Sequence, residues 1–359
     1  MLRRLLGNFR WGVLPVPGRM LAVVFFIFLF IIPLITDSRA TMHMMTLACV
    51  YAIFAVSWDL LSGYTGQVNF GHALFFGVGA YASALLYTNL GWPPAATIPL
   101  GALIAALVGA GTCFPALRLR GPYLSLLTLA FPLLLMEIIR SIPETSPLYA
   151  GGYVGITGLP RFGEAAVDRY YVCLIVMLVS VLIMWKLTDA GSKYVRTGLL
   201  FHAIREDEIA ARASGINTIR YKILAFAIGG FFAGVAGGLY AHLLTVAGPG
   251  TLGITMSFQA IIWVIFGGIV SIYGAVVGVF ALYPLVELLR GTVVHDYRFI
   301  IMSGMVILIL LFMPEGIAVR IRHKIERQCP RCKLTNAALR SECRACGASL
   351  RYVPDSQET

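Results

Sequence analysis

The sequence predicts an all-α polytopic membrane protein of about ten transmembrane helices, with one broken or re-entrant segment and a small domain after the last helix. Of its 359 residues, 58% are apolar and only 13% are charged, whereas soluble proteins carry about 25% charged residues. The apolar residues form uncharged runs of roughly 20 residues, the length that a helix needs to cross the hydrocarbon core. The runs do not alternate apolar and polar residues, as transmembrane β-strands do. Composition therefore excludes a soluble multidomain enzyme.

Ten apolar segments account for the predicted crossings. Two of them are short, so one is open to interpretation as a re-entrant segment. The ten segments are Leu21–Ile35, Met42–Leu61, Ala73–Leu90, Ala95–Leu117, Pro122–Ile139, Tyr170–Leu187, Ile223–Thr245, Met256–Tyr273, Ala275–Leu289 and Phe299–Met313.

The basic residues predict the orientation in the membrane. The net charge is +11, and an even number of crossings places both termini on one side. With a cytoplasmic N-terminus, 22 of the 28 Lys and Arg residues lie in inner segments, as the positive-inside rule requires. They are four residues up to Arg19, then Arg118 and Arg120, seven from Lys186 to Lys222, and nine from Arg320 to Arg351. We therefore expect a multi-pass inner-membrane protein with both termini in the cytoplasm, and the charge requires no nucleic acid.

A polar, glycine-rich segment, Leu61–Ala73, separates the second and third crossings. Non-helical backbone at membrane depth must be buried in protein or line water, because lipid satisfies neither N–H nor C=O groups. A broken helix is the expected solution. One interpretation is a translocation path lined by this segment, and the other is a turn whose polar residues tie helices together. The candidate path residues are Gly63, Gly66, Gln67, Asn69, Gly71 and His72.

Two further patterns concern helix packing. Asp59, Glu137 and Glu287 are charged residues within predicted spans, where charge is costly and favours the bundle interior or an interface. Asp59 lies one turn from the broken segment, so it either lines the path or makes a structural hydrogen bond. The glycines at 230, 234 and 238 form a small-residue stripe that predicts close approach of another helix.

The long inner loop Thr188–Lys222 predicts a short amphipathic helix outside the membrane. Ile204, Ile209 and Ala213 follow nearly helical spacing, and Gly215 is a suitable stop. The acidic residues from Glu206 onward lie in an early turn, which disfavours contact with an anionic membrane. A protein partner is therefore the preferred ligand of this helix.

Several separated motifs together resemble the permeases of branched-chain amino acid ABC transporters, LivM type, over roughly Met42 to Gly316. The motifs occur in the family's order, which makes the resemblance specific. They are Leu61–Ala73, Gly121-Pro122-Tyr123 with Leu126–Ala130, Gly155–Leu159, and Gly198–Gly215 continuing into Arg220–Phe226.

The resemblance implies a subunit of an importer for branched-chain amino acids or a related small solute. Its partners would be a second permease of the LivH type, two cytoplasmic ATPase subunits, an extracytoplasmic solute-binding protein and membrane lipid. The chain has no G-x-x-x-x-G-K-[ST] phosphate loop, so nucleotide is expected on the ATPase chains alone. The family's coupling helix, which docks onto the ATPase, corresponds to Ala203, Ile204, Arg205, Glu206, Asp207, Glu208 and Gly215.

The C-terminal residues depart from the family. Cys329, Cys332, Cys343 and Cys346 form two C-x-x-C pairs, which are able to surround Zn²⁺ with four thiolates. The gap between the pairs is shorter than the usual ribbon spacing of about 15–20 residues, and a redox pair or unpaired cysteines are the alternative. A reducing cytoplasm disfavours disulfides. The sequence thus predicts a structural zinc ribbon whose basic surface fits an acidic protein, anionic lipid or RNA.

These predictions divide the chain into a cytoplasmic segment 1–19, a permease domain 20–316 with the coupling loop at about 188–222, a basic linker 317–328, the ribbon 329–350 and a tail 351–359. A membrane-anchored zinc-ribbon scaffold or sensor, derived from a permease, is the alternative function. An enzyme is not expected, because the sequence has no H-E-x-x-H or G-x-S-x-G motif and no paired carboxylates at a spacing usable for catalysis.

Overall fold

The structure is a computed structural model. It describes residues 17–349 except 37, 118, 120, 147–148, 190–195, 291–296, 298–299, 301–302, 305–306, 308–310, 314–315, 330–334, 338–339 and 344–345. Most of the N-terminal segment 1–19, much of the expected span Phe299–Met313, Cys332 and the tail 351–359 therefore lie outside the described residues.

The described part of the chain is predominantly helical, as the composition predicts. Seven of its helices are long and apolar enough to cross a membrane, and two shorter apolar helices cover Val23–Ile35 and Ile254–Gly267. The helices are α1 (Pro17–Ile35), α2 (Arg39–Trp58), α3 (Ala73–Leu90), α4 (Pro94–Ala116), α5 (Pro122–Ser141), α6 (Ala166–Thr188), α7 (Thr197–Glu206), α8 (Glu208–Ala213), α9 (Thr218–Leu244), α10 (Ile254–Gly267), α11 (Ile272–Arg290) and α12 (Ile317–Ile325).

Helix α2 lies at the centre of the bundle. Its residues 46–58 are all buried, and it packs against α6, α9, α10 and α11. A helix that is hydrophobic on every side is stable only when other helices cover every side. By contrast, α4 and α5 expose large apolar side chains such as Leu107 and Leu126, a pattern that suits contact with lipid.

Close packing of α9 against α3 and α4 confirms the prediction from its glycine stripe. A Cβ atom added at Gly230 would lie 2.7 Å from the carbonyl oxygen of Ala105 in α4, and one at Gly234 would lie 2.6 Å from the Ala105 Cβ. On the adjoining face, a Cβ at Gly237 would collide with the Phe76 carbonyl of α3. Only glycine permits these approaches, so the three helices form one tightly packed group.

Helix α10 is shorter than the predicted span Met256–Tyr273. It ends at Gly267 after 14 residues, which is about 21 Å, against a hydrocarbon core of about 30 Å. The following Gly268 has a φ of 120°, and Gly267 lies directly against the carbonyl of Gly274 in α11. The chain therefore reverses at residues 268–271, and α10 and α11 form a helical hairpin.

Two small antiparallel pairs of strands lie outside the helices. The first joins β1 (Ile156–Thr157) to β2 (Val246–Ala247), just beyond the last residue of α9. The second joins β3 (Glu326–Gln328) to β4 (Thr335–Ala337) after α12. The predicted linker 317–328 is thus α12 followed by the first strand of this hairpin.

The two ends of the bundle are distinct. The helix α9 has 27 residues and is about 40 Å long; it begins beside α8 and ends beside β2. At the β2 end, His242 shares hydrogen bonds with Ser83 Oγ, 3.0 Å from its Nε2, and the Pro160 carbonyl, 2.9 Å from its Nδ1. At the α8 end, Gly316 lies against Gly268, which places α12 on the same side as the loop between α10 and α11.

Candidate functional site

The break between α2 and α3 confirms the prediction of an interrupted helix. After Trp58 the chain widens into a π-helical turn, Asp59–Gly63, and residues 66–72 are irregular before α3 begins at Ala73. A π turn commonly marks a functional position in a helix. The backbone N–H of Asp59 is shared between the carbonyls of Ala55 and Val56, which shows where the regular α-helical register ends.

The carboxylate of Asp59 holds this turn to the hairpin of α10 and α11. Its Oδ1 accepts a hydrogen bond of 2.8 Å from the backbone N–H of Val270, and its Oδ2 accepts one of 3.0 Å from that of Ser271. Asp59 is fully buried. Val270 has a φ of 62°, a conformation that a β-branched residue rarely adopts. Of the two roles that the sequence left open for Asp59, the structure shows the structural hydrogen bond.

Gly63 is required by the same contact. A Cβ atom at this position would collide with Oδ1 of Asp59. The absence of a side chain lets the carboxylate lie over the π turn and reach the hairpin. Gly63 therefore acts as a packing residue in the structure.

Side chains of the break itself and of neighbouring helices satisfy the irregular backbone. Ser62 Oγ accepts from the Asn69 N–H at 3.2 Å, and Asn69 Oδ1 accepts from the Gly71 N–H at 2.8 Å. Further along, Thr128 Oγ1 of α5 accepts from Phe70 N–H at 3.1 Å, and Ser257 Oγ of α10 accepts from Ala73 N–H at 2.9 Å. These hydrogen bonds satisfy backbone groups for which hydrocarbon offers no partner.

His72 is buried at the end of the break. The hydroxyl of Ser57 donates to the Phe54 carbonyl at 2.7 Å, so the 2.8 Å contact between His72 Nε2 and Ser57 Oγ assigns the proton to Nε2. The other ring nitrogen, Nδ1, is buried and has no hydrogen-bond partner among the described residues. Phe54 stacks on the ring at 5.1 Å between centroids.

The structure divides the six candidate path residues into two groups. Gly63, Asn69, Gly71 and His72 are buried, whereas Gly66 is exposed and Gln67 is half-buried. Gly66 has a φ of 70° and lies against Arg205 of α7, with 3.4 Å between an added Cβ and the Arg205 Cγ. The exposed part of the break therefore meets the coupling loop.

A second contact joins the break to α7. The rings of Tyr64 and His202 meet edge to face with 5.4 Å between their centroids. Burial and the nearby Arg205 guanidinium lower the pKa of His202, so its neutral form is favoured in this contact. Tyr64 and Gly66 therefore connect α7 directly to the chain that follows α2.

The coupling loop differs from the single helix that the sequence predicts. Asp207, with a φ of −153°, ends α7 and caps α8, because its Oδ1 accepts from the N–H groups of Ile209 at 2.8 Å and Ala210 at 3.0 Å. An aspartate at an N-cap favours this break. Consequently Ile204 is buried and Ile209 is 70% exposed, so the two do not share one apolar face.

The predicted coupling residues have different environments. Arg205, Glu206 and Asp207 are exposed, Ala203 is half-buried, and Gly215 follows the end of α8 with a φ of 83°. Glu208 is held inside the loop, where its Oε2 lies 2.7 Å from Lys222 Nζ and its Oε1 lies 2.8 Å from Arg212 Nη2. Sequence analysis missed Lys222 as a partner because it lies 14 residues away, across a turn.

The C-terminal cysteines form a cluster that is able to bind a metal. The Sγ atoms of Cys329, Cys343 and Cys346 all lie within 4.8 Å of one another, and those of Cys329 and Cys346 are 3.5 Å apart. Asn336 of β4 donates from Nδ2 to the Cys343 Sγ at 3.5 Å. Asn336 carries no metal-ligand signal in the sequence, so only the hairpin register reveals it.

Comparison with known proteins places these features in a family. A family model described as the permease component of the branched-chain amino acid transport system matches residues 40–312. The chain is 29% identical to the high-affinity branched-chain amino acid transport system permease protein LivM of Escherichia coli, covering 85% of this chain and 74% of that protein. The match to LivH of the same organism is 27%, over 77% of this chain and 93% of that protein.

A more distant relative is the guanosine ABC transporter permease protein NupQ of Bacillus subtilis, 24% identical over 55% of this chain and 66% of that protein. No solved structure matches the chain. The family match ends before α12, so the cysteine cluster lies beyond it.

The contact between Asp59 and the hairpin generates a stability prediction. Asp59→Asn replaces one acceptor oxygen by an NH₂ group facing a backbone N–H, which we expect to lower the free energy of unfolding by about 1–3 kcal/mol. The measurement is the midpoint of thermal unfolding in detergent. Glu137→Gln is the matched control, because Glu137 is largely exposed and its pair with Arg140 is a surface pair worth about 0–1 kcal/mol. Equal midpoints for both variants would contradict the structural role of Asp59.

Proposed function

The chain belongs to the family of branched-chain amino acid transport permeases, and on that premise we propose that it is the membrane-spanning permease subunit of an ABC importer. It passes branched-chain amino acids or a related small solute across the cytoplasmic membrane. The observation that carries this proposal is the direct contact between the break after the central helix α2 and the coupling helix α7, made by Tyr64 with His202 and by Gly66 with Arg205. A permease needs such a connection, because the energy source is on another chain.

The partners follow from the division of labour in such an importer. A second permease of the LivH type completes the pore, an extracytoplasmic binding protein delivers the solute, and two cytoplasmic ATPase subunits hydrolyse ATP. This chain has no phosphate-loop motif and is a transport subunit rather than an enzyme.

Coupling uses the exposed surface formed by Arg205, Glu206 and Asp207. An ATPase that changes conformation on binding ATP displaces α7, and the contacts of His202 with Tyr64 and of Arg205 with Gly66 carry the displacement to the π turn. Because irregular backbone adapts its dihedral angles more readily than a continuous helix, the break is the place where α2 and α3 change their relative positions. In this proposal the break is the moving part of the permease.

The translocation path runs beside the break and is lined by the six predicted residues as the permease moves. Two observations support this placement. Gln67 is half-buried at the edge of the segment, and His72 has a buried, unpartnered Nδ1 among the described residues, which would accept a hydrogen bond from water or from the ammonium group of an amino acid.

The orientation follows from the same arrangement. The coupling helices and α12 lie at one end of the bundle, since the hairpin loop that Asp59 holds also contacts Gly316. ATPase subunits are cytoplasmic, so this end faces the cytoplasm and the cysteine cluster is cytoplasmic too. We propose that both termini are cytoplasmic, and the distribution of basic residues supports this orientation.

The cysteine cluster is a structural zinc site in this proposal, completed by Cys332. Four thiolates at the tetrahedral Zn–S distance of about 2.3 Å are about 3.8 Å apart, which the 3.5 Å between Cys329 and Cys346 approaches. Thiolates are ligands that zinc prefers, and a closed set of four leaves no position for a catalytic water. A ribbon of about 20 residues has too small a core to fold alone, so the metal supplies its folding energy.

The first test concerns coupling. In proteoliposomes containing the complete complex, we expect the solute-loaded binding protein to stimulate ATP hydrolysis and leucine uptake; a scaffold or sensor would show neither. The variant Glu206→Ala/Asp207→Asn removes both exposed charges but keeps an N-cap residue for α8. Its uptake should fall at least about fivefold while assembly is unchanged. Glu342→Gln, an exposed acid on the ribbon, is the control, and normal uptake by the coupling variant would exclude this docking surface.

The translocation path is tested by labelling Gln67→Cys with a small hydrophilic maleimide. Mass spectrometry of individual peptides separates this thiol from the native ones. We expect the labelling rate to differ between the nucleotide-free and ATP-bound complexes, because the break moves with the cycle. Ser83→Cys, at a fully buried position, is the unreactive control. Absence of labelling at position 67 in both states would show a packed turn.

The metal site is tested by elemental analysis of the full chain purified under reducing conditions. One zinc ion per chain is expected, because a complete Cys₄ shell binds a single ion. Cys343→Ser should lose it, and Cys113→Ser, which alters a buried thiol of α4, should retain it. A zinc content near zero in the unmodified chain would refute the site.

A further inference from the structure

The turn between α8 and α9 is a natural hinge. Helix α8 ends at Ala213, Gly215 adopts a φ of 83°, and α9 begins at Thr218. Asn217 caps α9 by accepting from the Arg220 N–H at 3.1 Å. Backbone hydrogen bonds from the Gly215 N–H to the Arg212 carbonyl and from the Ile216 N–H to the Ala211 carbonyl tie this turn to α8. A push on α8 would therefore be absorbed between the turn and α9 unless a side-chain contact joins the two helices.

An ion pair spans this hinge. Lys222 Nζ of α9 lies 2.7 Å from Glu208 Oε2, at the first residue of α8. The Lys222 side chain is only 8% exposed and that of Glu208 is 23% exposed. Pairs shielded from solvent are screened by salt much less than surface pairs. The contact therefore restrains the two helices more firmly than an exposed salt bridge would.

The second carboxylate oxygen is fixed as well. Glu208 Oε1 lies 2.8 Å from Arg212 Nη2 and 3.4 Å from the Thr218 hydroxyl. Arg212 belongs to α8 and Thr218 to α9, so the carboxylate is bound from both sides of the turn. Arg212 also donates to the Thr218 hydroxyl at 3.2 Å, which closes a network across the hinge.

Helix α9 packs so closely on α3 and α4 that a displacement of its first turns would be passed on to both helices. Its glycines bring α4 and α3 into direct backbone contact at Ala105 and Phe76, with no flexible side chain between. Close-packed helices of this kind shift as units because their interfaces deform little. A rigid connection from α8 to α9 would thus move three helices of the bundle together.

We propose that the ion pair between Glu208 and Lys222 is a clamp across the Gly215 hinge, which makes α8 and α9 move as one body. The displacement of the coupling helices then reaches α3, α4 and α9 as well as the break. Glu208 and Lys222 are positioning residues in this role, since each acts through the other across the turn. The proposal rests on the transport function proposed above.

The discriminating variant is Glu208→Gln/Lys222→Met. Removing the Glu208 charge alone would leave Lys222 buried and unpaired, which threatens folding, whereas removing both charges leaves no buried charge without a partner. Arg212 loses its carboxylate partner in this variant, but its side chain is 55% exposed and stays solvated. We expect the double variant to assemble normally with its partner subunits. Leucine imported per ATP hydrolysed in proteoliposomes should fall at least about fivefold, and amide hydrogen exchange in the turn 214–218 should become faster.

Arg212→Gln is the matched control, since it removes the contacts of Arg212 with the Glu208 carboxylate and the Thr218 hydroxyl but leaves the ion pair with Lys222 as the remaining link across the turn. It should keep the import ratio and the slow exchange. A double variant that couples like the unmodified chain would overturn the clamp, and so would one that fails to assemble, because the pair would then serve folding alone. If the unmodified complex imports neither leucine nor the solute that its binding protein carries, the transport proposal fails, and hydrogen exchange still decides whether the hinge is clamped.

Discussion

The buried backbone N–H and C=O groups in the break between α2 and α3 must find partners inside the protein, because a bilayer offers none. The surrounding helices are arranged to meet this requirement. Ser257 of α10 and Thr128 of α5 accept hydrogen bonds from backbone N–H groups at the break. Asp59 in turn accepts two hydrogen bonds from the loop between α10 and α11. Helix α2 is consequently buried on all sides, since it carries the irregular segment that other helices must cover.

The group formed by α3, α4 and α9 gives this centre a firm frame. Its packing depends on glycines, because the approach of Gly237 to the Phe76 carbonyl leaves no space for a Cβ atom. Small residues are the usual means of close helix contact in membranes, where no hydrophobic effect drives helices together. The irregular break and this rigid group of helices lie side by side. Of the coupling helices, α7 contacts the break and α8 is ion-paired to α9 of the rigid group.

The coupling loop shows how a local signal competes with a periodic one. Nearly helical spacing predicted one helix through Ile204 and Ile209, but Asp207 satisfies the backbone at the start of α8 and splits the segment in two. The acidic residues then separate in role, with Glu206 exposed and Glu208 paired with Lys222. Asp59 is a separate case. Its charge at membrane depth has two interpretations from the sequence, and the hydrogen bonds that it accepts from Val270 and Ser271 distinguish between them.

The sequence by itself determined the membrane class, the place of the broken helix, the close-packed stripe of α9 and the cysteine pairs, because hydrophobic runs, glycine clusters and ligand spacing act over short distances along the chain. Tertiary structure alone decided that α10 stops at Gly267, that Asp59 binds a loop more than 200 residues away, and that Glu208 pairs with Lys222. Those contacts depend on how helices distant in sequence are brought together, and a local pattern holds no information on the distance between two side chains that only packing makes neighbours.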